Sequence, residues 1–138
     1  MPTIRRFEQL VAWQTARELV RGVYRACESQ KLRNDRALTD QMKRAAISIG
    51  SNIAEGFERG TRKQQLEFCY IAKGSAGELR SQIIHAHDVG LLETVAFDWL
   101  SQTCESCSRQ LQGYIRHLRR SKTALPGPKF LTCDSEDK

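Results

Sequence analysis

The sequence predicts an all-α protein, an up-down-up-down antiparallel four-helix bundle, and three observations carry that expectation. Gln41 to Gly56, QMKRAAISIGSNIAEG, reads as a helix with an apolar stripe and an uncharged polar stripe side by side. The same pairing of faces returns between Glu67 and Ala86. Apolar residues then recur at steps of three and four through two further long segments, with only short breaks between the four.

The first helix is expected from about Phe7 to Glu28, where Phe7, Leu10, Val11, Leu19, Val20, Val23, Tyr24 and Cys27 recur at helical spacing and Trp13 and Ala16 widen the apolar arc. Arg17, Arg21 and Arg25 form a ladder on this helix. It reads either as a solvated face or as a ridge that contacts phosphate.

Ser29 to Asn34 breaks the periodicity, and Asn34 or Asp35 is available to cap the second helix. Leu38, Met42, Ala45, Ala46, Ile49 and Ile53 form its core face. On the adjoining arc lie Gln41, Ser48, Asn52 and Glu55, where a surface helix would carry Lys and Glu. Small neutral polar groups with one acid there point to a partly buried, hydrogen-bonded seam rather than a solvated face.

The second helix ends near Gly56 to Gly60, and Thr61-Arg-Lys-Gln64 fits a capping box that starts the third near Arg62. Phe68, Ala72, Ala76, Leu79, Ile83 and Ala86 form the third stripe, flanked by Glu67, Gly74, Ser75, Glu78 and Gln82. Glycine inside a helix is about 1 kcal/mol worse than alanine, so Gly74 and Gly77 are expected to permit close backbone approach. Gly90 suits the left-handed residue that ends a helix. The fourth helix follows from about Thr94 to Ser121, with Phe97, Leu100, Cys104, Cys107, Leu111, Tyr114 and Leu118 inward. Residues 1–122 are thus expected to form the bundle. Residues 123–138, with two prolines and an acidic end, are expected to be a mobile tail.

A chain of 138 residues suits one domain with one core. The opening Met1-Pro-Thr-Ile-Arg-Arg6 lacks an apolar leader, and no stretch approaches the roughly 20 apolar residues that cross a bilayer. The expectation is a soluble, cytoplasmic protein with no membrane partner. Five cysteines in a helical chain suit a reducing compartment. Cys104-Glu-Ser-Cys107 has CxxC spacing, yet both thiols fall on the core stripe. No second CxxC or His-x3-His supplies further ligands, and His85 and His87 cannot share a helix face, so no metal is expected.

No catalytic constellation or cofactor motif is evident either. GxxxxGK[ST] and GxGxxG are absent. Glu55, Glu67 and Glu78 lack the Glu-x-x-His pairs of a di-iron bundle, and structural hydrogen bonding accounts for them better.

Twenty-two Lys and Arg against sixteen Asp and Glu give a net charge of +6, which favours polyanionic partners. In the expected topology the start of the first helix, the turn between the second and third, and the end of the fourth share one pole. Arg5, Arg6, Arg59, Arg62, Lys63, Arg116, Arg119, Arg120 and Lys122 converge there. Arg59, Arg62, Lys63, Arg116, Arg119 and Arg120 are the candidate nucleic-acid contacts, with Arg17 and Arg21 as a second surface. Cations at helix C-termini also complement the helix dipole, so part of this pattern needs no ligand. The aromatics Phe7, Trp13, Tyr24, Phe68, Phe97 and Tyr114 are largely assigned to core stripes. RNA or DNA is therefore expected to be met by shape and phosphate, without a sequence code. Gln41, Ser48, Asn52, Glu55, Ser75 and Glu78 are assigned to the polar seam.

The combination of Phe7-Glu-Gln-Leu-Val-Ala-Trp13, the SxxxNIAEG run from Ser48 to Gly56, and Gly74-Ser75-Ala76 followed by Glu78-Leu79 resembles the 23S rRNA intervening-sequence proteins, the S23-type four-helix bundles. The likeness covers most of the chain. It implies the bundle and a ring-like homopentamer. The family name refers to the place of some members' genes inside rRNA genes. The similar accessory protein of diversity-generating retroelements binds a reverse transcriptase and nucleic acid, so an adaptor or reverse-transcriptase accessory role is the alternative that the resemblance implies.

Overall fold

The computed structural model describes residues 3–121. A short 3₁₀ turn, Phe7–Gln9, precedes four helices: α1 Val11–Cys27, α2 Arg36–Arg59, α3 Arg62–Asp88 and α4 Thr94–Arg120. No strand occurs among the described residues. The expected tail, 123–138, and Lys122 lie outside them.

Each interface pairs rising numbers on one helix with falling numbers on the other, so all four are antiparallel. Trp13 of α1 reaches Gly50 of α2, while Tyr24 lies under Lys43. Gly56 of α2 meets Phe68 of α3, while Ser48 meets Ser75. Lys73 of α3 bonds Gln112 of α4, while Arg80 pairs with Glu105. Ala12 of α1 accepts from the Cys107 thiol of α4, while Gly22 lies against Trp99. Each helix packs on its two neighbours around a square, with the diagonal pairs apart.

The helix ends follow local chemistry. The Asp35 carboxylate accepts from the Leu38 amide at 3.0 Å and starts α2. Gly60 ends it in the left-handed conformation, φ 81°. Thr61 then starts α3 by accepting from the Gln64 amide at 3.2 Å. The capping box is modified: the Gln64 side chain accepts from the Thr61 hydroxyl at 2.8 Å. Gly90, φ 79°, follows α3 as expected.

The core contains most of the expected inward residues of α2 and α4, including Met42, Ile49, Ile53, Leu100, Leu111 and Leu118, each 0 or 1% exposed, while Leu38, Phe97 and Tyr114 are only partly buried against it. Two expectations for α1 are corrected. The first turn is 3₁₀, and α1 begins only after extended Leu10, because the Gln9 side chain accepts from the Arg5 and Arg6 amides at 2.7 and 3.1 Å and holds a separate turn. Val11 and Tyr24 point outward, since the small residues Ala12, Ala16 and Gly22 occupy the inward arc with Leu19 and Val23.

The expectation for Gly74 and Gly77 is also corrected. Both are exposed, and a Cβ at either would meet open space. The close approaches occur at Gly22 and Gly56. A Cβ on Gly56 would lie 2.7 Å from that of Phe68 and 3.3 Å from the α3 backbone.

Candidate nucleic-acid interface

The tight α2–α3 turn fixes one side of the basic pole. Because Gly60 and Thr61 reverse the chain in two residues, the last turn of α2 and the first of α3 carry Arg59, Arg62 and Lys63 side by side. Arg59 lies 2.9 Å from the Glu55 carboxylate and stacks its guanidinium 5.1 Å from the Phe68 ring centre. Its charge is thus oriented along the surface and half-exposed.

Arg62 has a different task. Its Nε donates to the Leu118 carbonyl at 2.6 Å and its Nη2 to the Arg119 carbonyl at 3.2 Å. These are orphan acceptors in the last turn of α4, where a cation also complements the helix dipole. Arg62 therefore ties the start of α3 to the end of α4, and that bond brings the third basic segment to the pole.

Arg116, Arg119 and Arg120 occupy the last turns of α4 and are exposed. Arg119 lies over the Tyr70 ring at 5.4 Å, and Tyr70 is 42% exposed, so a cation and an aromatic face share this end of the bundle. Lys63, Arg116 and Arg120 make no hydrogen bond or ion pair among the described residues. Arg5 and Arg6 arrive from the chain start. Arg6 pairs with Glu8 at 3.1 Å.

Between the chain start and the end of α4 lies a cavity of about 430 Å³, walled by Ile4, Leu10, Val11 and Gly113 and edged by His117 and Arg120. Gln110 and Tyr114 also line it. Each carries a buried oxygen without a hydrogen-bond partner, and burial raises the Tyr114 hydroxyl pKa.

Arg17 and Arg21 sit elsewhere, on the α1–α2 flank, beside a depression of about 460 Å³ that includes Trp13, Ile47 and Ser51. Arg17 lies 5.8 Å from the Trp13 ring, and Arg21 bonds Glu18 at 2.8 Å. They form a surface separate from the pole.

The polar residues between α2 and α3 divide. Ser48 and Ser75 share a hydroxyl bond of 2.9 Å, and the Asn52 amide donates to the Ser48 carbonyl and hydroxyl at 2.8 and 2.9 Å. Ser75 is buried and the other two half-buried. Gln41, Glu55 and Glu78 are exposed and outside this trio, and Glu55 instead holds Arg59. Buried Gln65, which the stripes did not single out, sits directly behind Gly56.

The thiols of Cys69, Cys104 and Cys107 are pushed up to about 12 by burial, which keeps them protonated near neutrality. Among the described residues, no group of three or more His, Cys, Asp or Glu could hold a metal ion, and no helix is long and apolar enough to cross a membrane. At the far pole His87 stacks on Phe97 with ring centres 4.1 Å apart. Val95 is 83% and Trp99 44% exposed there.

No curated protein matches the chain. A solved structure of a protein of unknown function from the S23 ribosomal protein family of Bacteroides thetaiotaomicron VPI-5482 is similar, with a TM-score of 0.67 and 20% identity over 77% of this chain and 99% of that one. At that identity the likeness is one of fold. The family described as 23S rRNA-intervening sequence protein matches residues 8–113, and the chain belongs to it.

Proposed function

We propose that this protein is a non-enzymatic nucleic-acid binder that works as a homo-oligomer and meets the phosphates of RNA or DNA with its basic pole. The observation that supports this reading is the meeting of three chain segments at one end, with Lys63, Arg116 and Arg120 left unpaired beside Arg59 and Arg119. Several cations in one place displace condensed counterions, which yields affinity without a base code. Tyr70 adds a partly exposed ring under Arg119. A ring of subunits, five by family resemblance, would present this charge repeatedly and raise avidity by roughly 10² to 10⁴ where the geometry permits.

The test is binding to labelled structured RNA and duplex DNA across a salt series, with oligomer mass followed by light scattering. Lys63→Gln, Arg116→Gln and Arg120→Gln together are expected to flatten the log–log salt slope by about 2 to 3 while helicity is kept. An unchanged slope would remove the pole from the interface. Asn52→Leu is the control for the seam and is expected to alter packing or assembly first. If that variant kept its oligomer and lost only the ligand, the seam would be the site.

A protein-adaptor role is the second reading. Exposed Val95, Val89 and Trp99 at the far pole favour it. An oligomer that ignores both nucleic acids at every salt would select it, with a reverse transcriptase among the partners to try.

A further inference from the structure

We propose that the groove between α1 and α2 receives the outward face of α3 from a second copy of this chain, so that the subunits assemble head to tail. The contact rests on the homo-oligomeric half of the reading above and stands apart from nucleic acid. The groove is apolar along its floor and cationic at its rim. Trp13, Val20, Ile47 and Gly50 line it, and Ile47 is 43% exposed. Arg17 and Arg21 stand along its α1 side, and no acid lines it. Arg44, three residues before Ile47 on α2, is exposed and makes no hydrogen bond or ion pair among the described residues.

The outward face of α3 has the opposite charge. Glu67 and Glu78 are exposed there and make no hydrogen bond or ion pair among the described residues. Beside them Tyr70, Ile71 and Ile84 are 42, 51 and 38% exposed, where a solvated helix face would carry charged side chains. Apolar contact edged by opposite charges suits a specific interface. The groove and the α3 face lie on different sides of the square, so one chain cannot bring them together, whereas two chains can. The contact is then heterologous. Each subunit keeps one groove and one α3 face free for the next, and the series closes into a ring when the turn between neighbours allows.

The heights of the two faces agree when subunits stand level, with their basic poles on one side. Ser48 of α2 bonds Ser75 of α3, so these two residues mark one height on the bundle. Arg44 stands four residues from Ser48 toward the far pole and Glu78 three residues from Ser75 in the same direction. Cation and acid are therefore level to within about 1.5 Å, the rise of one helical residue. Ile47, next to Ser48, falls between the heights of Gly74 and Gly77, where α3 carries no side chain to obstruct it. The same arrangement gathers every basic pole on one side of the ring.

The test uses the full chain and reads its mass by light scattering. Ile47→Lys and Gly74→Lys both fall at exposed positions and are expected to keep wild-type helicity while each lowers the mass to that of one chain, 15.7 kDa. Mixed one to one, the two variants are expected to form a dimer of twice that mass, because the first keeps its α3 face and the second keeps its groove. Single variants that stay assembled, or a mixture that stays monomeric, would overturn the head-to-tail contact and leave the homo-oligomer to another surface. Arg44→Glu and Glu78→Arg are each expected to weaken assembly at least tenfold, and the two together in one chain to restore it to within threefold of wild type. A double variant no better than either single would overturn the level register. A wild-type chain that is monomeric throughout would instead sink the homo-oligomeric reading itself, and this contact with it.

Discussion

The α2–α3 and α1–α4 interfaces are both antiparallel, yet they are built differently. Between α2 and α3 the chain turns in two residues, backbone meets backbone at Gly56, and Ser48, Asn52 and Ser75 bond across the middle. Between α1 and α4 the chain closes its own ends. There the Cys107 thiol donates to the Ala12 carbonyl at 3.7 Å, Trp99 lies over Gly22, and a cavity opens at each end, of about 430 Å³ and 460 Å³. A short turn and a glycine impose one separation and register. Two helices that no turn joins leave room at both ends that side chains only partly fill.

The largest expected effect comes from alkali, and it acts through three buried thiols, one on α3 and two on α4. Cys69, Cys104 and Cys107 have folded pKa values near 12, above the ordinary thiol value of 9.0. The unfolded chain therefore loses these protons first, and the stability that they contribute is complete below pH 9 and lost as pH rises toward 12. The loss is roughly 1.4 kcal/mol per thiol for each pH unit in that window. The urea midpoint should fall between pH 8 and pH 10 accordingly, and a Cys104→Ala, Cys107→Ala variant should show a much smaller fall. An equal drop in that variant would place the alkaline weakness elsewhere.

A smaller effect separates the two interfaces directly. Gly56→Ala forces a Cβ against Phe68 and the α3 backbone, which cannot yield without parting the helices, so a loss of about 1–3 kcal/mol is expected. Gly22→Ala meets the Trp99 ring, but that side chain is 44% exposed and free to swing outward. Its expected cost is below about 1 kcal/mol. Thermal melts of the pair check the order, and the comparison fails if Gly22→Ala is the worse.

The same contrast governs what was legible in the sequence. Thr61, Gly60 and Gly90 act through neighbours one to four residues away, so the limits of α3 could be read from local chemistry. The four stripes then fixed the topology, and the topology fixed which basic segments share a pole. The break at Leu10 depends on where the Gln9 side chain turns, which periodicity does not encode. Arg62 looked like any other cation of the pole, because its carbonyl partners lie 56 and 57 residues away. Gln41, Glu55 and Glu78 share a helical arc with the hydrogen-bonded trio, yet a wheel gives angle and not the distance to the facing helix. That missing distance also explains why glycines were assigned close approach at Gly74 and Gly77 while Gly22 and Gly56 supply it.

The smallest expected effect has the opposite sign. At Gly74 and Gly77 no neighbour comes within 4 Å of an added Cβ, φ is ordinary, and both positions are interior to α3. Alanine there removes backbone freedom from the unfolded chain without a clash, so Gly74→Ala and Gly77→Ala should each stabilise the monomeric bundle by about 0.5–1 kcal/mol. If either instead disrupts an assembled state seen by light scattering, while leaving the isolated helices folded, then a neighbouring subunit approaches α3 at that glycine. The open face of α3 would in that case hold a second tight contact like the one at Gly56, made between chains.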